Sequence, residues 1–275
     1  MRLATAEAQT GGTLMAIASP QPVRSSATIT ALRVVPVRTV KAMARPVSCS
    51  SCCLQGVCLP CGLTAEKLGD MDELTRVKRR VARGAALYRN GDSFDSLYAV
   101  RSGSFKSVGV SRAGQEKVTG LHLPGEMMGL DAINSRVHGY DAIALEDSEV
   151  CVVPYTRLTQ LALRVPELQA SLLRILSGGD ISRDQGLMLL LGGMDAQQRL
   201  AAFLLSLSKR YQRLGYAATR FSLRMTREEI GSYLGLTLET VSRLFSRLHR
   251  EGLLSVHQRE IELKDMAKLR ELVGH

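Results

Sequence analysis

Five cysteines crowd between residues 49 and 61 (Cys49, Cys52, Cys53, Cys58 and Cys61), and the sixth, Cys151, stands far along the chain. Free cysteine usually scatters singly through cores as a small hydrophobe. A short polar stretch this rich in thiols must be folded around a metal or closed by disulfides. No apolar run reaches the roughly 18 residues of a membrane span. The first 45 residues do not read as an export signal either, because Gln9, Gly11, Gly12, Pro20, Pro22 and Arg24 break any apolar core. A cytoplasmic protein is therefore expected, in a reducing compartment where structural disulfides are rare. That tilts the cysteines toward metal ligation or redox chemistry.

The spacing leaves two metals open. Cys49-x2-Cys52-x5-Cys58 can be closed by Cys151, which falls on a predicted strand, and four thiolates suit either zinc or an iron–sulfur cluster. Structural zinc more often joins two C-x2-C knuckles, and Cys58-Leu59-Pro60-Cys61 offers a second one beside Cys49–Cys52. One remote cysteine tilts toward a cluster without deciding the matter.

The formal net charge of +10 points to a polyanionic partner. A membrane surface is not expected, since no basic amphipathic helix carries bulky aromatic anchors. With no Trp and 4% aromatic residues, single-strand binding by base stacking is disfavoured. Double-stranded DNA fits better.

The chain reads as an α+β protein in five parts. Residues 1–45 form a basic arm with one acid, Glu7, and no sustained period, and are expected to be disordered; Met15 and Met43 are alternative starts. Residues 46–83 hold the cysteine loop and a helix over 64–83, with Leu68, Met71, Leu74 and Val77 at three-residue spacing. Residues 84–160 carry short apolar runs (86–88, 97–100, 105–108, 118–121, 150–153) between glycine turns, the pattern of a β-sandwich or barrel. Residues 166–193 read as a helix opened by Pro166, apolar along one face through Ile175, Ile181 and Leu187, and suited to pairing in a homodimer.

Residues 195–275 end in a helix-turn-helix. Thr226-Arg227-Glu228-Glu229 is a capping box, and Ile230, Tyr233 and Leu234 give the first helix its buried stripe. Gly235 can end that helix in the left-handed conformation. Thr237 then caps a second helix, in which Val241, Leu244, Phe245 and Leu248 share one face. The other face carries Glu239, Ser242, Arg243, Ser246, Arg247 and Arg250. Arginine can bind guanine through two bonds, glutamate can accept from cytosine, and serine can bond either a base edge or a phosphate. A solvated charged face is the commoner fate of such residues. Here the caps, the turn, a Leu254–Leu263 hairpin wing and the basic chain coincide.

These features together resemble the oxygen-sensing FNR branch of the CRP/FNR transcription regulators, over about residues 49–275. The resemblance rests on Cys49-x2-Cys52-x5-Cys58, Leu97-Tyr98-Ala99-Val100-Arg101-Ser102-Gly103, Gly129-Leu130-Asp131-Ala132-Ile133 and Arg199-Leu200-Ala201-Ala202-Phe203. It is fullest at Met225-Thr226-Arg227 and Tyr233-Leu234-Gly235-Leu236-Thr237-Leu238-Glu239-Thr240-Val241-Ser242-Arg243-Leu244. It implies a cyclic-nucleotide-binding-type β-roll, a long dimerisation helix and a winged helix-turn-helix. It further implies a [4Fe–4S] cluster held by Cys49, Cys52, Cys58 and Cys151. Glu239, Ser242 and Arg243, flanked by Thr237 and Arg247, match the family's operator-reading region. RNA polymerase would be met near 111–115. Oxygen would dismantle the cluster, loosen the dimer and lower DNA affinity. Asp184, with Asp180, lies where the family keeps an acidic brake on the dimer helix. Cys53 and Cys61 depart from the family spacing.

Other functions fit less well. Residues 134–141 lack the Arg-Ser pair of a cyclic-nucleotide binder, so no response to cAMP is expected. His122 and His138 are weak candidates as haem ligands. No phosphate loop, G-x-S-x-G elbow or H-E-x-x-H motif is present, so the chain is not expected to be an enzyme.

Overall fold

The computed structural model describes residues 48–110, 114–177 and 193–274. The basic arm 1–45, residues 111–113 of the turn expected to meet RNA polymerase, and Asp180, Ile181, Asp184 and Leu187 lie outside the described residues.

Eight short strands build the β-roll: β1 (Lys78–Val81), β2 (Ala86–Tyr88), β3 (Ser96–Ser102), β4 (Phe105–Val110), β5 (Glu116–His122), β6 (Met127–Met128), β7 (Asp141–Ala144) and β8 (Ser148–Pro154). They form two four-stranded antiparallel sheets in the orders β1-β8-β3-β6 and β2-β7-β4-β5. Val100, Phe105, Met128, Ala142 and Val150 are buried together in one core that draws on both sheets. The β3–β4 hairpin requires its glycine: Gly103 has φ +78°, and a Cβ there would meet Ser148 Oγ at 2.1 Å.

The sequence-based helix over 64–83 is shorter than expected. Helix α1 spans Ala65–Leu74 and buries Leu68, Met71 and Leu74. The stripe fails at Val77, which is 61% exposed. Lys78-Arg79-Arg80-Val81 instead pairs with β8, a long-range ladder that outweighs the local helical period. Two short helices, α2 (Ala132–Ser135) and α3 (Tyr155–Ala162), interrupt and follow the sheets. Helix α4 runs Pro166–Ile175 with Pro166 in its first turn, and Ile175 packs on the core beneath the cysteine loop.

Helix α5 (Ala196–Arg213) starts at a capping box formed by Asp195 and Gln198. Strand β9 (Arg220–Ser222), helix α6 (Arg227–Leu234), helix α7 (Leu238–Arg250), strands β10 (Leu254–His257) and β11 (Glu260–Leu263), and helix α8 (Met266–Val273) follow. The expected hairpin wing is present and gains β9 as a third strand. Val241, Phe245 and Leu248 of α7 are buried, each contributing about 1.5–3 kcal/mol through its apolar area.

His138 is 2% exposed, stacks on Tyr88 with ring centroids 3.8 Å apart, and leaves Nδ1 without a partner among the described residues. Burial holds its pKa below 6.5 against the opposing pull of Asp131 and Asp92. The folded state therefore keeps this ring neutral where the unfolded chain would protonate it. That contribution to stability is complete above about pH 6.5 and is lost as pH falls below it. The unfolding midpoint should drop between about pH 7.5 and 5.5. His138→Phe should flatten that slope, and an unchanged slope would exclude His138 as its source.

Candidate functional site

The cysteine loop begins with a 3₁₀ turn, Cys49–Ser51, pinned by the carboxylate of Asp72 on α1. Asp72 accepts the Cys49 and Ser50 amides and the Ser50 hydroxyl, the last at 3.0 Å. A reverse turn then carries Cys58 back, its amide donating to Leu54 O at 2.9 Å. Cys151 arrives from the middle of β8, opposite Lys78 on β1 and Ala99 on β3. The fold thereby places Cys49, Cys52, Cys58 and Cys151 on the walls of one cavity, with Leu54, Leu59, Met71 and Val153 among its apolar lining. Cys53 is exposed and does not line it. Cys61 also faces elsewhere, with Arg174 Nη1 donating to its sulfur at 3.3 Å.

Burial pushes three of these thiols up. Cys58 rises to about 12, through burial first and then through the negative charge its neighbours Cys151, Cys49 and Cys52 would carry. Cys151 is raised by burial while Lys78 and Arg101 pull it down. Cys49 is raised by burial and eased by the Thr75 hydroxyl, 3.2 Å from its sulfur. Thiolates so close in apolar surroundings require a cation to form, which is the electrostatic character of a metal-sulfur site.

Among the described residues, no three His, Cys, Asp or Glu side chains converge tightly enough for a single ion. Tetrahedral zinc, with Zn–S bonds of about 2.3 Å, would need its sulfurs within about 4 Å of one another. The second knuckle that zinc would use is also broken up, because Cys61 turns to Arg174. A multi-iron cluster binds each thiolate through a different iron and so suits a more widely spaced set. Four cysteines on the walls of one cavity are a donor set that could hold an iron–sulfur cluster, one thiolate to each iron.

The same loop is bonded to α4. Ser171 Oγ donates to Cys61 O at 2.7 Å, Arg174 reaches the Cys61 sulfur, and Lys67 on α1 pairs with Glu167 at 2.7 Å. None of these contacts had a local signal in the sequence.

In the C-terminal part, Thr226 and Glu229 form the expected capping box, and Gly235 ends α6 at φ +68°. Thr237 caps α7 by accepting the Thr240 amide at 3.1 Å. Gly231 allows the tight crossing, since a Cβ there would lie 2.6 Å from Leu236 O. Arg227 was expected only as part of the cap. Its guanidinium instead lies 3.4 Å over the Phe245 ring and fastens α6 to α7. Thr237, Glu239, Ser242, Arg243 and Arg247 are all exposed, and Glu239 pairs with Arg243 at 2.5 Å.

Residues 198–272 match the Crp-like helix-turn-helix domain family, and residues 78–164 match the cyclic nucleotide-binding domain family. The chain is 49% identical over 226 residues to the transcriptional regulatory protein btr of Bordetella pertussis, covering 82% of this chain and 93% of that one. It is 42% identical over 228 residues to the anaerobic regulatory protein of Haemophilus influenzae, covering 83% and 88%.

The chain belongs to the FNR branch of the CRP/FNR family.

Members of the CRP/FNR family bind DNA as dimers, and this protein is a transcription regulator rather than an enzyme. The solved structure of FixK2 from Bradyrhizobium japonicum matches with a TM-score of 0.65 at 31% identity, covering 71% of this chain and 96% of that one. The β-roll with a C-terminal helix-turn-helix is thus the architecture of the CRP/FNR family. No helix among the described residues is long and apolar enough to cross a membrane.

Proposed function

We propose that this protein is an oxygen-responsive regulator that binds an inverted-repeat operator as a homodimer while a [4Fe–4S] cluster is held by Cys49, Cys52, Cys58 and Cys151. One observation carries the reading: of six cysteines, these four line one cavity, and the loop that supplies three of them is hydrogen-bonded to α4. The anaerobic regulatory protein of Haemophilus influenzae supports the oxygen response. Held by these four thiolates, such a cluster would supply an oxygen-sensitive inorganic core.

The chain's own residues transmit the loop's position. A fixed loop keeps Cys61 O on the Ser171 hydroxyl and the Cys61 sulfur on Arg174, in the first turns of the segment assigned to subunit pairing. A released loop withdraws both contacts from α4. Pairing then weakens, and each half-site is left to one weakly bound recognition helix, which lowers operator affinity through lost effective concentration. Glu239, Ser242 and Arg243 read bases, with Thr237 and Arg247 beside them, and RNA polymerase meets the surface near 111–115. The protein does not respond to cAMP: Arg136 lies 5.0 Å over the Tyr155 ring, and residues 134–141 carry no Arg-Ser pair.

Anaerobic visible spectra with iron and sulfide analysis, repeated after adding air, test this reading. Brown-green protein that bleaches in air, with operator binding lost in step, is expected. Colourless protein with stoichiometric zinc and the same operator affinity in air would replace the sensor with a zinc staple.

A further inference from the structure

Several polar contacts tie the helix-turn-helix to the β-roll, and the function proposed above uses none of them. Lys106 on β4 donates to Glu229 at 2.6 Å, with both side chains 19% exposed. Arg210 on α5 grips Glu126 through Nε at 2.8 Å and Nη2 at 2.7 Å, and Nη2 also donates to Leu121 O at 2.6 Å. Arg224 pairs with Glu146 at 3.1 Å. The Val118 amide donates to the Ser232 hydroxyl at 2.9 Å. Beneath these contacts, Val118, Leu121, Leu123 and Leu145 share a hydrophobic core with α5, α6 and α7.

The placement has a structural logic. Strand β5 is an edge of its sheet, and α6 covers it, so Ser232 satisfies an edge amide that would otherwise be open to another strand. Apolar contact alone is non-directional, whereas a two-bond arginine–carboxylate pair fixes an angle. Glu229 matters most because it does two jobs. One oxygen takes Lys106, and the other accepts the Thr226 amide in the cap of α6. The first turn of α6 is thereby locked to β4. Gly231 then lets α6 meet the turn into α7 with almost no clearance. A rigid line runs from β4 through Glu229 and α6 to α7, whose reading face stays exposed.

We infer that Lys106 and Arg210 are positioning residues for operator recognition: through Glu229 and Glu126 they dock the helix-turn-helix on the β5 edge at one angle, and so fix the separation of the two recognition helices in a dimer. The DNA consequence rests on the dimeric operator binding proposed above, whereas the docking itself does not.

Full-length protein carrying Lys106→Met, Lys106→Arg or Arg210→Lys tests this with two readouts. Lys106→Met removes the ion pair but leaves Glu229 free to cap α6. Hydrogen exchange of residues 116–122 reports whether the β5 edge is uncovered. Anaerobic binding to an inverted repeat, and to the same half-sites moved about five base pairs (half a helical turn) apart, reports the separation. Lys106→Met should speed exchange about tenfold and erode spacing discrimination about tenfold, with single half-site affinity within about twofold of wild type. Lys106→Arg should restore both, and Arg210→Lys, which loses the fork, should act in the same direction as Lys106→Met.

Wild-type exchange together with wild-type spacing discrimination in Lys106→Met would overturn the inference. So would a uniform loss of half-site binding and melting temperature that Lys106→Arg fails to rescue. If the wild-type protein ignores half-site spacing altogether, the dimeric operator reading fails, and the exchange result still decides the docking.

Discussion

Anaerobically purified Cys151→Ala protein is expected to be colourless, folded and unable to hold an operator. Cys151 sits in the middle of β8, flanked by Lys78 and Ala99, and its backbone ladder does not depend on the side chain. Removing one half-buried sulfur should cost about 1 kcal/mol or less of stability, close to the value of a single buried methylene group. The melting transition and far-UV circular dichroism should therefore stay close to wild type. The cavity, however, loses the one cysteine that reaches it from outside the 49–61 loop. The three remaining thiols all lie on one short loop, so no cluster would be held between that loop and the β-roll.

Operator affinity should fall by roughly 10²–10⁴-fold, the enhancement typical of joining two weak sites. Cys61→Ala is the informative control. Its sulfur faces Arg174 and not the cavity, so colour should persist. Wild-type operator binding by Cys151→Ala, or a colourless Cys61→Ala, would show that the ligand set is wrong.

That control also marks the boundary between what local sequence can and cannot carry. Spacing tilted toward Cys151 without excluding Cys61, because both choices satisfy known metal patterns. The fold adds what spacing lacks: it puts Cys151 on the cavity wall and turns Cys61 toward Ser171 and Arg174, 110 or more residues away in the chain. The helix-turn-helix was legible because its determinants are local, each cap and its partner lying three residues apart. The strands that the sequence reading missed are β1, β6, β7 and β9. Strand β6 is only Met127–Met128, and β1 is the charged Lys78-Arg79-Arg80 followed by one buried valine. Neither has the apolar alternation of a half-buried strand, and both exist because β8 and β3 offer a ladder. Helix α8 was missed as well, although Asp265 caps it by accepting the Lys268 amide at 2.9 Å, a signal that was present in the sequence.

Arg243→Ala should leave the protein folded and coloured while destroying its choice of operator. The Arg243 side chain is 78% exposed and its partner Glu239 is 72% exposed. An ion pair this exposed contributes only about 0.2–0.5 kcal/mol to stability, so its loss should not register in the melting curve. The pair instead holds the guanidinium and the carboxylate side by side on the first turns of α7, the turns that a recognition helix would insert into the major groove. A two-bond contact from arginine to guanine is worth about 1–3 kcal/mol of discrimination at each half-site. Two half-sites in one dimer double that to about 2–6 kcal/mol, or roughly 30-fold to more than 10⁴-fold in affinity.

Binding to unrelated duplex should change far less, because phosphate attraction from the remaining basic residues is indifferent to sequence. Arg247→Ala gives the contrast if Arg247 meets the backbone: affinity should fall for every sequence alike, and the salt dependence should flatten by about one unit. Selection from a randomised operator library under anaerobic conditions measures both. An Arg243→Ala protein that recovers the wild-type sequence would remove α7 from the role of reader, since no other exposed arginine lies on its first two turns.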